Sequence, residues 1–183
     1  MALSTTGFDA VTQELKRMRT AQAPAIERAV KDAAELGNKL AVDAVFKRYG
    51  FKSRSYVENL ISVSIHPKAL KAVISARYRP STLTRFADPR YRTGKRGQKV
   101  MNGFTVSTIR NQPVWFKGAF TVTGRNGNHL MFLRSKGDNR WRELKGQKSL
   151  YGVSVAGSFG VIRDDIEPPI IKHLRERYGH YAK

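Results

Sequence analysis

The spacing of apolar residues predicts two helices in the first part of the chain. In residues 8–18 apolar positions recur every three or four residues, which is the repeat of a short helix. Residues 26–45 carry a longer stripe of the same spacing, and Pro24 just before it suits a first helical turn. This stripe predicts the longest helix of the chain, ending near Gly50. Gly37 inside it costs about 1 kcal/mol of helix stability relative to Ala, so it indicates either close packing or a bend.

Alternating apolar and polar residues predict strands in the middle of the chain. Residues 61–66 and 71–78 alternate in this way, after a short helix that Ser55 is placed to cap. The pattern resumes in three further stretches, residues 104–108, 120–122 and 130–132. The segment 124–128 contains glycine and asparagine, which accept positive φ, so it predicts a hairpin turn. A mostly antiparallel sheet of four or five strands follows from these patterns.

The end of the chain returns to helical spacing over residues 155–178. Pro168–Pro169 interrupts this stretch. Proline lacks a backbone donor and disfavours helix at the residue before it, so we expect a kinked helix or two helices. We predict a single α+β domain over residues 1–183, in which helical parts at 1–54 and 151–183 pack on the sheet.

Periodicity is absent in one part of the 55–150 sheet region, from Pro80 to Gly103. Proline, glycine, arginine and lysine fill this stretch, and a compact domain rarely leaves a loop of that length unused. We therefore predict a long basic arm over residues 79–103. It is either a functional extension or a segment that stays without structure until it meets a partner.

Composition adds a strong and uneven positive charge to this picture. The 183 residues hold 34 Lys and Arg against 14 Asp and Glu, a formal net charge of +20. Residues 59–160 alone hold 19 basic and three acidic side chains, and the residues on either side are close to neutral. A segregated charge produces a field with a direction. The middle of the chain is therefore predicted to face a polyanion.

Two basic clusters carry this prediction. The first, in and beside the arm, consists of Arg77, Arg79, Arg85, Arg90, Arg92, Lys95, Arg96 and Lys99. The second consists of Arg134, Lys136, Arg140, Arg142, Lys145 and Lys148. We predict electrostatic contacts from both clusters to a DNA backbone or to acidic surfaces of neighbouring subunits; a solvated flexible loop is the alternative for the arm. Such contacts do not read a base sequence, and no helix-turn-helix, zinc-finger or RNA-binding signature accompanies them.

Most catalytic chemistry is excluded or weakly supported by the residues. The chain has no Cys, which excludes disulfides, thiolate zinc sites and Cys nucleophiles, and its four His residues lie far apart. Asp138, Glu143 and Lys145 carry the residue types that metal-dependent nucleases use. Their spacing argues against convergence, because Arg140 and Arg142 lie between them. We expect no enzyme activity, no cofactor, no metal and no small-molecule substrate.

Nothing in the chain predicts a membrane protein. No apolar run approaches the roughly 18 residues that a membrane-spanning helix needs. The first residues lack the basic and apolar regions of a signal peptide. We expect the protein to stay in the cytosol or in a particle assembled there.

The order of several short motifs resembles the phage minor tail protein Z family, the tail-completion proteins of long-tailed phages. A helix runs through Met18-Arg19-Thr20-Ala21-Gln22-Ala23-Pro24-Ala25-Ile26 into a long second helix, and the basic arm follows. The later motifs are Gly118-Ala119-Phe120, a Gly/Asn loop, Met131-Phe132-Leu133-Arg134, Gly137 with Arg140, and Leu150-Tyr151-Gly152-Val153-Ser154-Val155-Ala156. The chain departs from the family pattern at Trp141-Arg142-Glu143-Leu144 and at Val153, where proline is common in the family.

This resemblance implies a non-enzymatic structural protein of the virion. It implies a place at the head-proximal end of the tail, after assembly in the host cytoplasm. It also implies a homo-oligomeric, hexameric ring that contacts the tail tube or tail terminator and the path of the genomic DNA. Two other functions stay open: a free nucleic-acid-binding protein without sequence preference, and a metal-dependent nuclease.

Overall fold

Our computed structural model of the protein describes Glu14 and residues 22–133 and 150–183. These residues contain three α-helices and nine strands. They confirm the predicted α+β class. The first helix predicted from residues 8–18 lies outside the described residues, apart from Glu14. No helix in the described ranges combines the length and apolar composition that crossing a membrane requires.

The described residues divide into two compact units. The first, which we call the helix unit, comprises Glu14 and residues 22–47, 54–79 and 154–183. The second, the sheet unit, comprises residues 48–53, 80–133 and 150–153. The assignment of residues 1–183 to one domain stays a prediction.

The long helix α1 spans Ala23–Arg48 and confirms the predicted helix and its end near Gly50. Its buried positions include Ile26, Val30, Ala33 and Val45 of the predicted stripe. Gly37 is buried as well, and a Cβ atom there would lie 2.7 Å from Cδ1 of Ile74 and 3.0 Å from Cδ1 of Ile170. The two side chains occupy the space that a larger residue would need. Close packing is therefore the reason for this glycine.

The C-terminal helix α3 runs without interruption over Val155–Tyr181. Ser154 caps it by accepting a hydrogen bond from the Gly157 amide at 3.0 Å. The expectation of two helices divided at the prolines is wrong, because Pro168 and Pro169 lie inside this one helix. A stripe of buried apolar residues continues on both sides of the proline pair. Burial of this stripe compensates for the two backbone hydrogen bonds that the prolines cannot donate. That stripe consists of Val155, Phe159, Ile162, Ile166, Ile170 and Leu174.

A short helix and one hairpin complete the helix unit. Helix α2 spans Arg54–Glu58, so Ser55 lies within it and does not cap it. Strand β1 (Ile61–His66) and strand β2 (Lys71–Ala76) lie where alternation predicted strands, and they pair antiparallel. A 3₁₀ turn over Pro67–Ala69 joins them.

The sheet unit contains several small sheets, and the prediction of one four- to five-stranded sheet is wrong. Strand β3 (Pro80–Thr82) pairs with β9 (Tyr151–Ser154). Strands β4 (Ala87–Thr93), β5 (Lys99–Val106) and β6 (Val114–Phe116) form an antiparallel three-stranded sheet. Strands β7 (Phe120–Thr123) and β8 (His129–Phe132) form the predicted hairpin around residues 124–128. The strands are too short for alternation to show which of them pair.

Regular β-structure replaces the predicted aperiodic arm. Residues 80–103 form β3, a 3₁₀ turn over Leu83–Phe86, and most of the hairpin β4–β5. Asp88, Arg90 and Arg92 lie on one face of β4, and Pro89 and Tyr91 lie on the other. Because β4 is exposed on both faces from Asp88 onwards, it lacks the row of buried apolar residues that marks a half-buried strand in a sequence. Pro89 is accommodated because β4 is an edge strand, where a missing backbone donor breaks no ladder.

The core of the sheet unit lies beside the three-stranded sheet. Phe51 packs on Phe86 with ring centroids 4.5 Å apart, and both side chains are almost fully buried. Residues 48–53 run beside residues 107–110, where the Gly50 amide donates to the Thr108 carbonyl at 3.1 Å. A backbone hydrogen bond of 2.9 Å from Lys52 to Arg85 continues this pairing and places the Lys52 side chain at the sheet.

Candidate functional site

The two units differ sharply in charge. The described residues of the sheet unit hold eleven Lys and Arg but a single acidic residue, Asp88. Those of the helix unit hold fourteen basic and ten acidic residues. The charge that the sequence locates in the middle of the chain therefore belongs chiefly to one compact unit. A unit with that imbalance attracts anions over a distance of about one Debye length, roughly 8–10 Å at moderate salt.

Six residues of the first predicted cluster lie together in the sheet unit. Arg85 belongs to the 3₁₀ turn, Arg90 and Arg92 to β4, and Lys99 to β5, with Lys95 and Arg96 in the turn between β4 and β5. All six side chains are exposed. The structure therefore brings these residues onto one hairpin and its base.

The remaining predicted residues are not joined to that group. Arg77 and Arg79 follow β2 in the helix unit, and both are exposed. The second predicted cluster, Arg134, Lys136, Arg140, Arg142, Lys145 and Lys148, lies outside the described residues. Its role stays a prediction.

Strand register shows which side chains share a face of the three-stranded sheet. Asp88 of β4 is paired with Thr105 of β5, and Thr105 with Trp115 of β6, so these three lie on one face. Arg90 and Arg92 alternate with Asp88 along β4 and belong to the same face. We call this the Arg90 face.

The one acidic residue on the Arg90 face is already paired. The Lys52 ammonium lies 2.7 Å from Oδ1 of Asp88, and both side chains are substantially exposed. An ion pair this exposed contributes little to stability, about 0–1 kcal/mol. Its effect is local: it occupies the carboxylate that would otherwise attract Arg90 or Arg92. Within the described ranges, no carboxylate forms an ion pair with either arginine.

Trp115 lies on the Arg90 face in the edge strand β6, on the other side of β5 from Arg90, and 45% of its surface is exposed. The Arg90 guanidinium carbon lies 5.5 Å from the centre of the indole ring, a cation–π geometry. The indole Nε1 donates to the Asn102 carbonyl at 3.2 Å, which sets the orientation of the ring. The ring therefore holds Arg90 in place without using a carboxylate.

A small cavity of about 310 Å³, lined by both polar and apolar side chains, lies next to the 3₁₀ turn in the same unit. Thr84 Oγ1 donates to the His129 carbonyl at 3.0 Å, and Thr82 Oγ1 lies 2.9 Å from Thr84 Oγ1. Each hydroxyl has one proton, so Thr82 must be the donor in the second bond. Both protons are thus used internally. These two hydroxyls therefore offer only lone pairs to the cavity, which Arg85 also lines.

No candidate metal centre is found among the described residues. In residues 22–133 and 150–183, no group of three or more His, Asp or Glu side chains is placed to hold a metal ion. The nuclease candidates Asp138, Glu143 and Lys145 lie outside the described ranges. That hypothesis is not tested by the structure.

Sequence reasoning missed two residues of the Arg90 face, Lys52 and Trp115. Lys52 lies far from Asp88 in the chain, and only the pairing of residues 48–53 with the base of the sheet brings them together. Trp115 lies in the short apolar run Val114-Trp115-Phe116, which has no alternation to mark it as a strand. The one sequence signal for Trp115 was the presence of a tryptophan in a strongly basic region.

Comparison with known protein families identifies the chain. The model of the family prophage minor tail protein Z (GPZ) matches residues 8–178, nearly its whole length. The chain belongs to this family. It is therefore a member of a family of phage minor tail proteins, which supports a structural role in the tail of the virion. Searches of curated proteins and of solved structures return no match.

Proposed function

We propose that this minor tail protein Z family member completes the phage tail at its head-proximal end. In this role it assembles as a homo-oligomeric ring of six subunits that contacts the tail tube or tail terminator and surrounds the path of the genomic DNA. The observation that carries the proposal is the charge of the sheet unit, eleven basic residues against one acidic residue, in a chain that belongs to a tail-protein family. A ring around DNA needs a basic surface on the side that faces the polyanion.

The proposed role is structural and uses no catalysis, cofactor or metal. Family membership supports it, because minor tail proteins are components of a particle. The helix unit has a nearly balanced charge and supplies a rigid frame, with α1 and α3 packed through Gly37 and Ile170. The sheet unit supplies the charged surface. This division suits a subunit whose parts meet different neighbours.

Two measurements test the proposal. Electron microscopy and sedimentation of the purified protein should show rings of six subunits, and labelled antibody should mark the head-proximal end of the tail in phage particles. A protein that stays monomeric at high concentration and is absent from purified particles would contradict the proposal. The particle experiment is the stronger one, because a ring can require the tail as a template.

A free nucleic-acid-binding protein without sequence preference is the alternative that the charge of the sheet unit also favours. Both functions predict DNA binding that weakens with salt. They differ in location: the free protein would be found with nucleic acid in infected cells and not in purified particles. A nuclease would show magnesium-dependent cleavage that is lost on Glu143→Gln, so the absence of cleavage by the unmodified protein removes it.

A further inference from the structure

We infer that the Arg90 face binds the phosphodiester backbone of duplex DNA through Arg90 and Arg92, with Trp115 as the residue that positions Arg90. This inference rests on the proposed function, in which DNA passes the protein, and names the surface that would meet it. It differs from a general attraction between a basic protein and DNA, because it assigns the contact to one face of one small sheet.

The first argument is the local charge of this face. Asp88 is neutralised by Lys52 at 2.7 Å, so the face presents two arginines without an acidic competitor among the described residues. Two residues apart on a strand, Arg90 and Arg92 lie about 7 Å apart and point to the same side. They can engage separate phosphates of one backbone. A guanidinium binds phosphate with two parallel hydrogen bonds, a geometry that a lysine ammonium cannot match.

The second argument is the preorganisation of Arg90. An exposed arginine loses side-chain entropy when it binds a ligand, up to about 2 kcal/mol. The indole of Trp115 already restricts the Arg90 side chain, and the bond from Nε1 to the Asn102 carbonyl restricts the indole. No described residue accepts a hydrogen bond from the Arg90 guanidinium. Its donors are thus oriented and still available for an acceptor.

The third argument distinguishes duplex DNA from other polyanions. Proteins that bind single strands stack bases on exposed aromatic rings. Arg90 lies over the indole of Trp115, which leaves this ring poorly placed to receive a base. Protein interfaces are anchored by buried aromatic and apolar side chains. Apart from Trp115, whose ring Arg90 covers, the exposed apolar residues of this sheet lie on the opposite face; they are Tyr91, Met101 and Val114.

The test combines a charge-matched pair of variants with a local reporter. Binding of a short duplex of random sequence is measured by anisotropy between about 50 and 200 mM salt. Arg90→Gln with Arg92→Gln should make the slope of log affinity against log salt less steep by about 1.8, which is the loss of two phosphate contacts. The control, Lys117→Gln with Arg125→Gln, removes the same charge from exposed positions of the same unit and should leave that slope nearly unchanged.

Trp115 reports on the face directly and does not require the arginine variants to fold. The chain has two tryptophans, so a Trp141→Phe variant leaves Trp115 as the single tryptophan, whose emission is separable from that of the tyrosines. Duplex DNA should change the emission of Trp115, and poly-L-glutamate at equal charge should not. An equal loss of slope in both double variants, or an emission that responds to poly-L-glutamate and not to DNA, would overturn the inference. The second outcome would assign the face to an acidic protein.

The inference and the proposed function can fail separately. DNA binding through the Arg90 face by a protein that is absent from particles would retain the inference and remove the tail-completion role. A protein located at the head-proximal end whose Trp115 ignores DNA would retain the role and remove the inference. Particle labelling and Trp115 fluorescence therefore answer different questions.

Discussion

At the scale of single residues, Gly103 determines the shape of the strand opposite Arg90. Pro89 pairs with Phe104 and Tyr91 with Met101, so two residues of β5, Asn102 and Gly103, lie opposite the single residue Arg90. This is a β-bulge, and Gly103 has a φ of +98°, which side chains other than glycine adopt at a cost. A Cβ atom there would also lie 2.1 Å from the Phe116 carbonyl oxygen of β6.

We predict that Gly103→Ala lowers the free energy of unfolding far more than Gly97→Ala. Gly97 also has a positive φ, +77°, but a Cβ atom there has no neighbour within 4 Å. The Gly97 variant should lose about 1 kcal/mol through backbone strain alone, and the Gly103 variant roughly 3 kcal/mol because its Cβ meets backbone that cannot move away. Urea unfolding of the two variants measures the difference. Equal losses would show that β6 shifts to make room.

At the scale of elements, the two long helices show what apolar spacing can and cannot predict. The buried positions of α3 follow the predicted stripe from Val155 to Leu174, and burial of that stripe outweighs the two missing proline donors. Spacing did not show that α1 approaches Ile74 and Ile170 so closely at Gly37. That contact depends on a strand and a helix that are far away in the chain.

We predict that Gly37→Ala and Ile74→Val are coupled. Alanine adds a Cβ atom that meets Cδ1 of Ile74 at 2.7 Å, and valine lacks that Cδ1 atom. The alanine substitution should therefore be about 1 kcal/mol more favourable in the Ile74→Val background than in the unmodified protein. A double-mutant cycle, with free energies of unfolding measured in urea, gives this coupling free energy between the two positions. Additive effects would indicate that Ile74 rotates freely away from α1.

A polar cluster also joins α1 to α3, and it gives the helix unit an acid-sensitive contact. The Arg177 guanidinium lies 2.5 Å from Oδ2 of Asp32, and the Tyr181 hydroxyl donates to the same oxygen at 2.8 Å. Partial burial raises the pKa of Asp32. The hydrogen bonds from Tyr181 and Arg177 and the charge of Arg177 outweigh this effect and hold the pKa below its ordinary value of 3.8.

We predict that this contact is lost in acid. A carboxyl whose pKa is lowered by folding stabilises the folded state above its ordinary pKa, so the contribution of Asp32 is complete above about pH 5 and is lost as the pH falls from there through the lowered pKa. The free energy of unfolding should fall more steeply over that range in the unmodified protein than in Asp32→Asn. Glu35→Gln, which removes an exposed carboxylate from the same helix, is the control and should keep the steep fall. Parallel curves for the unmodified protein and Asp32→Asn would contradict the prediction.

At the scale of the whole molecule, the feature most closely related to function is the concentration of positive charge in the sheet unit. The sheet unit concentrates like charges on short, exposed strands, and such charges repel each other. Their placement in a minor tail protein Z family member is consistent with a surface for a polyanion.

We predict that neutralising the hairpin leaves the fold intact. Replacement of Arg90, Arg92, Lys95 and Arg96 by Gln should change the melting temperature by less than about 4 °C, because relief of repulsion offsets the loss of the Arg90 contact with Trp115. The melting temperature of the variant, relative to that of the unmodified protein, should be higher at low salt than at high salt, because the repulsion that the variant relieves is less screened at low salt. Scanning calorimetry at two salt concentrations tests this. A fall of about 10 °C or more would show that the hairpin charges are structural.

The sequence by itself determined the features that depend on local spacing and on composition. The sequence predicts helices α1 and α3, strands β1 and β2, the hairpin β7–β8 and the location of the positive charge. Each of these needs only the period of apolar residues, the residues of a local turn or a count of charges. Tertiary structure alone decided that residues 80–103 form strands, that α3 continues through its prolines, and that Lys52 neutralises Asp88 beside Arg90 and Trp115. These depend on contacts between residues far apart in the chain, whose energies outweigh local preference and leave no periodic trace in the sequence.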